Sequence, residues 1–498
     1  MNVLLVNPNS GYQVQIESAP LGLLSIAAYL KERGFHVRMC DRKIGKNPLK
    51  KAVRGFQPDA VGISVAHMED IHDGVRVSRW FRARGIPVIW GGQFSSLIPD
   101  MILREGGADY VVLGEGEITF CELLRAIERK SEAAQVKGVA YLELPGAVRR
   151  TPAREFADLA DFPVTDWSFI NLREYFFSDL VVGRRKMLCL YSSKGCPGNC
   201  TFCYNKDFHH SKCRKRPDGH VIREIEQLVT EYGMDGIIFV DDDMFGADRS
   251  DVRGFCERLR DSDLNVLWRC YSQLSRLSRE DFRLMYDAGC RRIFCGIESG
   301  SPETLRRIRK NINLAAMESA VQNCHEAGIL THCAFIIGFP DETEEQLRDT
   351  VRLMQRLDSD MNSTHILAYF PIPCSEAYIH LVDTGQLLPP RTLREWSRYK
   401  VRENMINNFS NVPTRDLRVV WAYFYWRTFS RKTNKEGVGR HENARFGIIS
   451  SLRNILRKSF INMCGCLLSS AKLFLTIVWY AHAYPGVRKK YGLFDGHI

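Results

Sequence analysis

The chain has 498 residues, of which 45% are hydrophobic and 26% are charged. These are values of a globular protein, so they exclude a wholly disordered, collagen-like or coiled-coil chain, and the length suits about two to four domains. The formal net charge of +11 is unevenly placed, because residues 381–498 hold 20 Lys or Arg against 7 Asp or Glu, whereas the preceding residues are close to neutral.

The N-terminus and the cysteines indicate the compartment. The first residues lack the basic segment and the long apolar segment of a secretory signal. The sixteen cysteines are thinly spread, and Cys189, Cys295 and Cys333 stand in strand-like apolar runs. This pattern predicts reduced, buried thiols and a cytoplasmic protein.

The first 145 residues alternate short β-branched runs with amphipathic stretches. Strands are predicted at 3–7, 36–41, 60–64, 87–90 and 110–113, and helices at 21–33, 49–56, 71–84, 98–105 and 118–130. This order predicts a parallel, doubly wound, flavodoxin-like α/β domain at 1–145, followed by a linker at 146–182. Such sheets bind ligands at the carboxyl ends of their strands, where glycines either admit a large flat ligand or simply form tight turns. No G-x-G-x-x-G follows the first strand, which disfavours a dinucleotide.

A cysteine motif follows a predicted strand at 186–192. Cys196, Cys200 and Cys203 have the spacing C-x3-C-x2-C in the segment GCPGNCTFCY. Three thiolates on one loop can hold three irons of a cubane cluster and leave the fourth iron open for a substrate chelate. The alternative is a structural zinc site, which needs a fourth ligand such as His209, His210 or Cys213. The preceding strand and the glycine at the start of the loop favour the cluster.

The alternation of strands and helices continues after the motif. Further strands are predicted at 236–240, 266–270, 292–296, 331–337 and 364–370, with helices such as 221–231 and 279–288 between them. Six parallel strands within 183–380 predict a partial (β/α)6 barrel, whose catalytic face lies at the carboxyl ends of the strands. The polar residues at these ends are Asp241, Asp242, Asp243, Gln273, Glu298 and Ser299, with Gly338. The aspartates equally suit the N-terminus of the next helix.

The cysteine motif resembles the cluster loop of radical S-adenosylmethionine (SAM) enzymes. The segments GIESGS at 296–301, IIGFPDET at 336–343 and YFPIPCSEAY at 369–378 resemble the fourth, fifth and sixth strand segments of that family, in the family's order. In the first domain, APLGLLSIAAYL, VIWGGQ and VVLGEGE resemble the cobalamin-binding domain that precedes this barrel in one large subfamily. The sequence is therefore similar to the cobalamin-dependent radical SAM enzymes over residues 1–380.

The resemblance implies three cofactors, which are a [4Fe–4S] cluster, SAM and cobalamin. Cys196, Cys200 and Cys203 are implied to bind the cluster. The residues implied to contact SAM are Tyr204, Asp241, Asp242, Gln273, Glu298, Ser299 and Gly338. The residues implied to contact cobalamin are Asn7, Pro20, Leu21, Ser64, Val65, Gly91, Gly92, Gln93, Gly114, Glu115, Gly116 and Glu117. No catalytic side chain is identified.

Two positions depart from the family pattern. Many cobalamin proteins ligate cobalt from below with the histidine of an Asp-x-His-x-x-Gly motif, and here the corresponding segment has Asp41 followed by Arg42 and Lys43. The resemblance then implies base-off cobalamin without a histidine ligand. Cys374 stands where many members have glycine, as either a pocket-lining thiol or a tolerated turn residue.

The resemblance implies a reaction but not its substrate. Reductive cleavage of SAM gives a 5′-deoxyadenosyl radical that takes a hydrogen atom from a small-molecule or lipid substrate, and a methyl group then passes from methylcobalamin to an unactivated carbon. A flavodoxin- or ferredoxin-like protein is the expected reductant. Two alternatives are a non-methylating cyclase or rearrangement enzyme of the same family and, from another class, a non-catalytic cobalamin- or metal-binding sensor.

Residues 381–498 form a basic, mainly helical region in this interpretation. They contain an aromatic run at 421–426, a basic segment at 427–435 and an apolar stretch at 460–481 that is interrupted by Lys472. A central lysine disfavours a membrane span. The open interpretations are a helix packed on the protein itself, peripheral contact with the inner face of a membrane, and an anionic small molecule or carrier; nucleic acid is disfavoured.

Overall fold

The computed structural model describes residues 1–10, 19–45, 48–143, 146–179, 182–246, 250–399, 408–435 and 484–493. The chain forms two compact units. The first unit contains Met1–Ser272, Asp287–Cys290 and Pro371–Val401, and the second contains Gln273–Tyr286, Arg291–Phe370 and the described residues beyond 402.

The first unit begins with a seven-stranded sheet in the order β2-β1-β3-β4-β5-β6-β7. Its strands are β1 (Asn2–Asn7), β2 (His36–Asp41), β3 (Ala60–Ser64), β4 (Val88–Gly91), β5 (Tyr110–Val112), β6 (Val139–Glu143) and β7 (Ala147–Arg150). Strands β1 to β5 are parallel, as predicted, whereas β6 and β7 are antiparallel additions within and beside the predicted linker. The order of the parallel strands is that of the flavodoxin-like fold.

This order follows from hydrophobic runs that are buried on both faces. Val3–Val6 of β1 are all buried, as central strands of a parallel sheet covered by helices require. Helix α6 (Gly116–Glu128) packs so closely on β3 that a Cβ at Gly62 would lie 2.8 Å from the ring of Phe120. Gly62 therefore allows the close contact between helix and sheet.

The remaining strands carry the predicted barrel alternation. In the first unit, β8 (Phe177–Asp179) pairs antiparallel with β9 (Arg184–Leu190), and β9, β12 (Gly236–Phe239) and β13 (Leu267–Tyr271) are parallel neighbours. A short antiparallel ribbon consists of β10 (Ser193–Lys194) and β11 (Arg214–Lys215). Strands β14 (Cys290–Glu298), β15 (Leu330–Ile337) and β16 (Asn362–Ala368) are parallel neighbours. The six predicted strands are thus all present, and the predicted fold class is confirmed.

The helices separate these strands. Those of the first half of the chain are α1 (Leu21–Glu32), α2 (Pro48–Val53), α3 (Ile71–Arg82), α4 (Gln93–Leu97), α5 (Pro99–Met101), α6, α7 (Asn205–His209) and α8 (Asp218–Tyr232). The later ones are α9 (Ser250–Asp261), α10 (Arg279–Asp287), α11 (Pro302–Arg307), α12 (Leu314–Glu326), α13 (Glu344–Arg356), α14 (Glu376–Asp383), α15 (Leu393–Trp396), α16 (Thr414–Lys435) and α17 (Pro485–Lys490). A π-helical turn lies at Ile102–Gly106. Short 3₁₀ turns lie at Met68–Asp70, Ala133–Gln135, Leu159–Asp161, Trp167–Phe169, Leu172–Glu174 and Leu274–Arg276.

The C-terminal region is mainly helical where the structure describes it. Helix α16 includes the predicted aromatic run, and among the described residues no helix is both long and apolar enough to cross a bilayer. The apolar stretch at 460–481 lies outside the described residues.

The fourteen cysteines in the described ranges are thiols rather than disulfides, and Cys189, Cys295 and Cys333 are buried as predicted.

Candidate functional site

The three motif cysteines lie on one loop, residues 195–213, which the ribbon β10/β11 closes at both ends. This cysteine loop begins at Gly195, whose φ is +86°. A Cβ there would lie 2.1 Å from the carbonyl oxygen of Lys212, so only glycine fits. At Gly198, a Cβ would lie 3.3 Å from Cys196 Sγ and 3.9 Å from Cys200 Sγ. The sulfur atoms of Cys196 and Cys200 therefore both lie next to Gly198, where a larger side chain would crowd them.

The three motif thiols are of the residue type that binds iron–sulfur clusters. In the part of the chain that the structure describes, no three Cys, His, Asp or Glu side chains converge closely enough to hold one ion. In a cubane cluster each cysteine binds its own iron, so its ligands do not need to converge on a point. Burial raises the pKa of Cys203 to about 12, and coordination by iron would hold this sulfur as the thiolate.

The consecutive aspartates Asp241 and Asp242 have different environments. Asp241 is buried, and its Oδ1 accepts hydrogen bonds from Ser192 N at 2.9 Å and from Ser193 Oγ at 2.6 Å. Burial raises its pKa to about 6 despite these bonds. Asp241 thus fixes the turn from β9 into the ribbon, and its contact with SAM stays a prediction.

Asp242 faces a cavity and contacts the cysteine loop. Its Oδ2 accepts a hydrogen bond from Gly195 N at 3.2 Å, and its Oδ1 accepts one from Tyr204 Oη at 3.1 Å. Tyr204 Oη also accepts a hydrogen bond from Gln93 Nε2 at 3.2 Å. A residue next to a cluster cysteine therefore contacts a residue predicted to bind cobalamin.

The cavity has a volume of about 460 Å³ and lies within the first unit. Eleven of the twelve predicted cobalamin residues line it: Asn7, Pro20, Leu21, Ser64, Gly91, Gly92, Gln93, Gly114, Glu115, Gly116 and Glu117. The twelfth, Val65, is buried and lies against the Gly91–Gly92 turn, where Val65 N donates to the carbonyl of Gly91 at 2.8 Å. An apolar part of the lining comes from Leu5, Ile63, Ile89, Val112 and Phe120. Its glycine-lined wall and apolar part suit a large flat ligand, and the predicted cobalamin site stays a proposal.

Two predicted cobalamin residues are also ion-paired with the ribbon. Lys194 Nζ lies 2.7 Å from Glu117 Oε1, which also accepts a hydrogen bond from Ser25 Oγ at 2.7 Å. Glu115 pairs with Arg214 of β11. Burial opposes ionisation of Glu117, but the ammonium of Lys194 outweighs it and holds the pKa of this carboxyl below its ordinary value. The sequence predicted these acidic residues from their place after a strand; nothing in it indicated the lysine and arginine.

Lys43 lines the same cavity. In the resemblance described above, it stands where many cobalamin proteins have histidine. Its Nζ lies 3.4 Å from Oδ1 of the buried Asp70, and His67, which also lines the cavity, donates its backbone N–H to Asp70 Oδ2 at 3.2 Å. Burial raises the pKa of Asp70 above its ordinary value, although the Lys43 ammonium opposes this. Lys43 is therefore held by a carboxylate beside the predicted corrin site.

A second cavity of about 470 Å³ shares Gly114, Glu115, Glu117 and Phe208 with the first. Cys374 lines it, and its Sγ lies 3.2 Å from the carbonyl oxygen of Leu97. The φ of Cys374 is +65°, a left-handed conformation that explains why glycine suits this position in many members. Cys374 thus lines a cavity and also has a turn conformation, so both interpretations offered for it agree with its position.

The other predicted SAM residues belong to the second unit. Glu298 ends β14 with a φ of +71°, and its Oε1 lies 3.3 Å from Lys310 Nζ. Ser299 is buried, with its Oγ 3.1 Å from Thr350 Oγ1. Gly338 follows β15 and donates its N–H to Glu342 Oε2 at 2.6 Å. Gln273 precedes the 3₁₀ turn at Leu274–Arg276. Their contacts with SAM stay predictions.

Comparisons with known proteins agree with the two halves of the site. The B12 binding domain family matches residues 13–124, and the radical SAM superfamily matches residues 190–354. An uncharacterized methyltransferase of Pyrococcus horikoshii is 29% identical over 441 residues, which cover 86% of this chain and 93% of that protein. An anaerobic magnesium-protoporphyrin IX monomethyl ester cyclase of Rubrivivax gelatinosus is 25% identical over 398 residues, covering 77% of this chain and 70% of that protein.

A solved structure shares the fold. The radical SAM methyltransferase TsrM from Kitasatospora setae, solved with cobalamin and a [4Fe-4S] cluster bound, is 22% identical. It superposes with a TM-score of 0.65 over 77% of this chain and 78% of its own. The domain matches confirm the predicted cofactor set of [4Fe–4S] cluster, SAM and cobalamin.

Proposed function

Because this cobalamin-dependent radical SAM enzyme joins a B12-binding domain to a radical SAM domain, we propose that it is a C-methyltransferase acting on an unactivated carbon. The observation that carries the proposal is the 460 Å³ cavity. Residues of the cysteine loop line it together with eleven of the predicted cobalamin residues. The similarity to a methyltransferase of Pyrococcus horikoshii over 86% of the chain supports it.

The cofactors supply a carbon-centred radical and a methyl group when they are bound, and the protein positions and encloses them. Cys196, Cys200 and Cys203 would hold three irons of the cluster. The glycine turns at Gly91–Gly92 and Gly114–Gly116 would admit the corrin, while Lys43 would lie beside it. The buried ion pair between Lys194 and Glu117 would fix the ribbon against the cavity wall. A site enclosed by these contacts would exclude water, which protects a radical from side reactions.

The first part of the test, which follows the methyl group to cobalamin, does not require the unknown substrate. The purified, reduced protein with cluster and cobalamin is incubated with SAM that carries a deuterated methyl group. A methyltransferase should transfer the label to cobalamin and release S-adenosylhomocysteine in equal amount, in addition to 5′-deoxyadenosine. With the true substrate, the two nucleoside products should form in similar amounts. If 5′-deoxyadenosine forms but the label never reaches cobalamin, the methyltransferase proposal is refuted.

The alternative within the family is a non-methylating cyclase or rearrangement enzyme. The similarity to the cyclase of Rubrivivax gelatinosus over 77% of the chain favours it. It predicts 5′-deoxyadenosine with no S-adenosylhomocysteine, so the same experiment separates the two proposals.

A cysteine substitution separates an enzyme from a cobalamin sensor. Cys200→Ala removes one of three cluster ligands, so we expect loss of the cluster's visible absorbance and of SAM cleavage. Cys213→Ala is the matched control, because Cys213 lies on the same loop but outside the motif. A non-catalytic sensor would keep its response to cobalamin in both variants and would cleave no SAM in the wild type.

We propose a cytoplasmic setting with a flavodoxin- or ferredoxin-like reductant and a small-molecule or lipid substrate. The thiol state of the fourteen described cysteines supports a reducing compartment. Peripheral membrane contact through 381–498 stays a prediction, and vesicle sedimentation with and without anionic lipid tests it. Binding that is equal for neutral and anionic vesicles would contradict an electrostatic contact.

A further inference from the structure

A continuous chain of hydrogen bonds links the cobalamin cavity to the start of the cysteine loop. Gln93 Nε2 donates to Tyr204 Oη at 3.2 Å, Tyr204 Oη donates to Asp242 Oδ1 at 3.1 Å, and Asp242 Oδ2 accepts from Gly195 N at 3.2 Å. All four residues belong to the first unit. Gln93, Tyr204 and Asp242 line the 460 Å³ cavity.

Both ends of this chain have little room to relax. At Gly92, next to Gln93, φ is +101° and a Cβ would lie 2.8 Å from the carbonyl oxygen of Val65. At Gly195 the corresponding approach to the Lys212 carbonyl is 2.1 Å. A closely packed backbone transmits a displacement instead of absorbing it. A ligand that fixes Gln93 should therefore also fix the position of Tyr204, and with it the peptide next to Cys203.

We propose that Tyr204 is a positioning residue that couples the two cofactor sites, so that filling either site strengthens binding at the other. A ligand in the cobalamin cavity fixes Gln93, and the hydrogen bonds of Tyr204 and Asp242 then fix Gly195 at the start of the cysteine loop. Linkage requires the effect to be reciprocal, and couplings of this kind are typically about 5- to 150-fold in affinity. The inference rests on the proposed pair of cofactors in these two sites and not on methyl transfer.

The competing explanation is that Tyr204 only fills space beside the cluster. In that case its ring matters and its hydroxyl does not. Tyr204→Phe separates the two explanations, because it keeps the ring and removes both hydrogen bonds of the hydroxyl. Gln93→Leu breaks the same chain from the other end and leaves the cysteine loop untouched, so it decides the question if Tyr204→Phe fails to assemble a cluster.

The experiment measures the affinity for hydroxocobalamin twice, in the full-length protein with and without its reconstituted cluster. We expect the cluster to tighten binding at least 5-fold in the wild type, and we expect the ratio to fall below about 2-fold in Tyr204→Phe and Gln93→Leu. The ratio cancels any direct contact of Gln93 with the corrin. Tyr110→Phe, on β5, loses a hydroxyl outside this chain and should keep the wild-type ratio.

A reciprocal measurement completes the test. The rate at which a chelator removes iron from the cluster should fall several-fold when hydroxocobalamin is present in the wild type, and should not change in Tyr204→Phe or Gln93→Leu. If the cluster does not change the affinity of the wild-type protein for hydroxocobalamin, the inference is overturned. It is also overturned if both variants keep the same affinity ratio as the wild type. Neither measurement involves methyl transfer, so failure of the proposed function would leave these outcomes unaffected.

Discussion

Replacing Lys194 by methionine should destabilise the first unit strongly at neutral pH. The side chain of Lys194 is 18% exposed and that of Glu117 is 3% exposed, so the substitution leaves a buried carboxylate without its cation. Removing one partner of a buried ion pair costs about 3–5 kcal/mol. We expect the lower end, about 3 kcal/mol, because Lys194 is partly exposed and Ser25 Oγ still donates to Glu117. For a unit of roughly 300 residues, that lowers Tm by about 5 °C.

The loss of stability in Lys194→Met should depend on pH through the protonation of Glu117. In the wild type the pKa of Glu117 lies below its ordinary value of 4.5, so the pair contributes stability above that pH and loses it as the pH falls through the lower folded-state pKa. Without Lys194, burial outweighs the remaining hydrogen bonds and raises the pKa of Glu117, so the penalty is full at neutral pH and fades as Glu117 becomes protonated. The difference in Tm between the two proteins should therefore narrow from pH 7 to pH 5.

The assay is thermal unfolding followed by circular dichroism at both pH values. Lys186→Met, an exposed lysine on the neighbouring β9, is the matched control and should change stability by no more than about 0.5 kcal/mol. The double substitution Lys194→Met with Glu117→Gln should recover most of the loss, because the buried carboxylate that has lost its cation is then absent as well. A Lys194→Met protein that melts within about 2 °C of the wild type at pH 7 would refute the reasoning.

Three further substitutions test the site. Gly195→Ala should prevent cluster assembly, because its Cβ would lie 2.1 Å from the Lys212 carbonyl; iron content should fall by more than half, whereas Gly486→Ala, with open space around it, should keep its iron. Burial raises the pKa of Glu342 to about 7 from 4.5, so the stability of the second unit should fall as the pH rises between these values. Glu342→Gln should remove that slope and be about 3 kcal/mol more stable than the wild type at pH 8. An unchanged slope would contradict this. Thr350→Val removes the hydroxyl that contacts Ser299 Oγ and Gly300 N, and we expect it to lower the free energy of unfolding by about 2 kcal/mol. It should also weaken SAM binding in equilibrium dialysis. The control Thr230→Val, at an exposed position, should change neither quantity.

The sequence predicted a strand correctly where a single hydrophobic pattern, either continuous or alternating, extends over several residues. Val3–Val6 and the alternating Thr331, Cys333, Phe335 and Ile337 gave strands close to their observed positions. Strands β6 and β7 were not predicted, because Leu142, Glu143 and Arg149 face solvent and dilute the pattern. The ribbon β10/β11 has two residues per strand, too few for any periodicity.

The site was predictable only as far as local motifs reach. The cysteine spacing and the glycines after strands are local, and eleven of the twelve residues proposed for cobalamin line one cavity. The partners of Glu115 and Glu117 lie on a ribbon far along the chain, so nothing near them in sequence indicates the ion pairs. The different environments of Asp241 and Asp242 likewise arise from tertiary contacts, with Ser192 and Ser193 on one side and Tyr204 on the other.

The ribbon β10/β11 has a consequence for how the holoenzyme is assembled. The ribbon and the ion pairs of Lys194 and Arg214 join the two ends of the cysteine loop, so these protein contacts offset part of the conformational entropy that closing the loop costs. Zinc fingers, by contrast, fold only when they bind their metal. In this protein the contacts of the ribbon share that ordering with the cluster, so binding the cluster has less of the loop left to order.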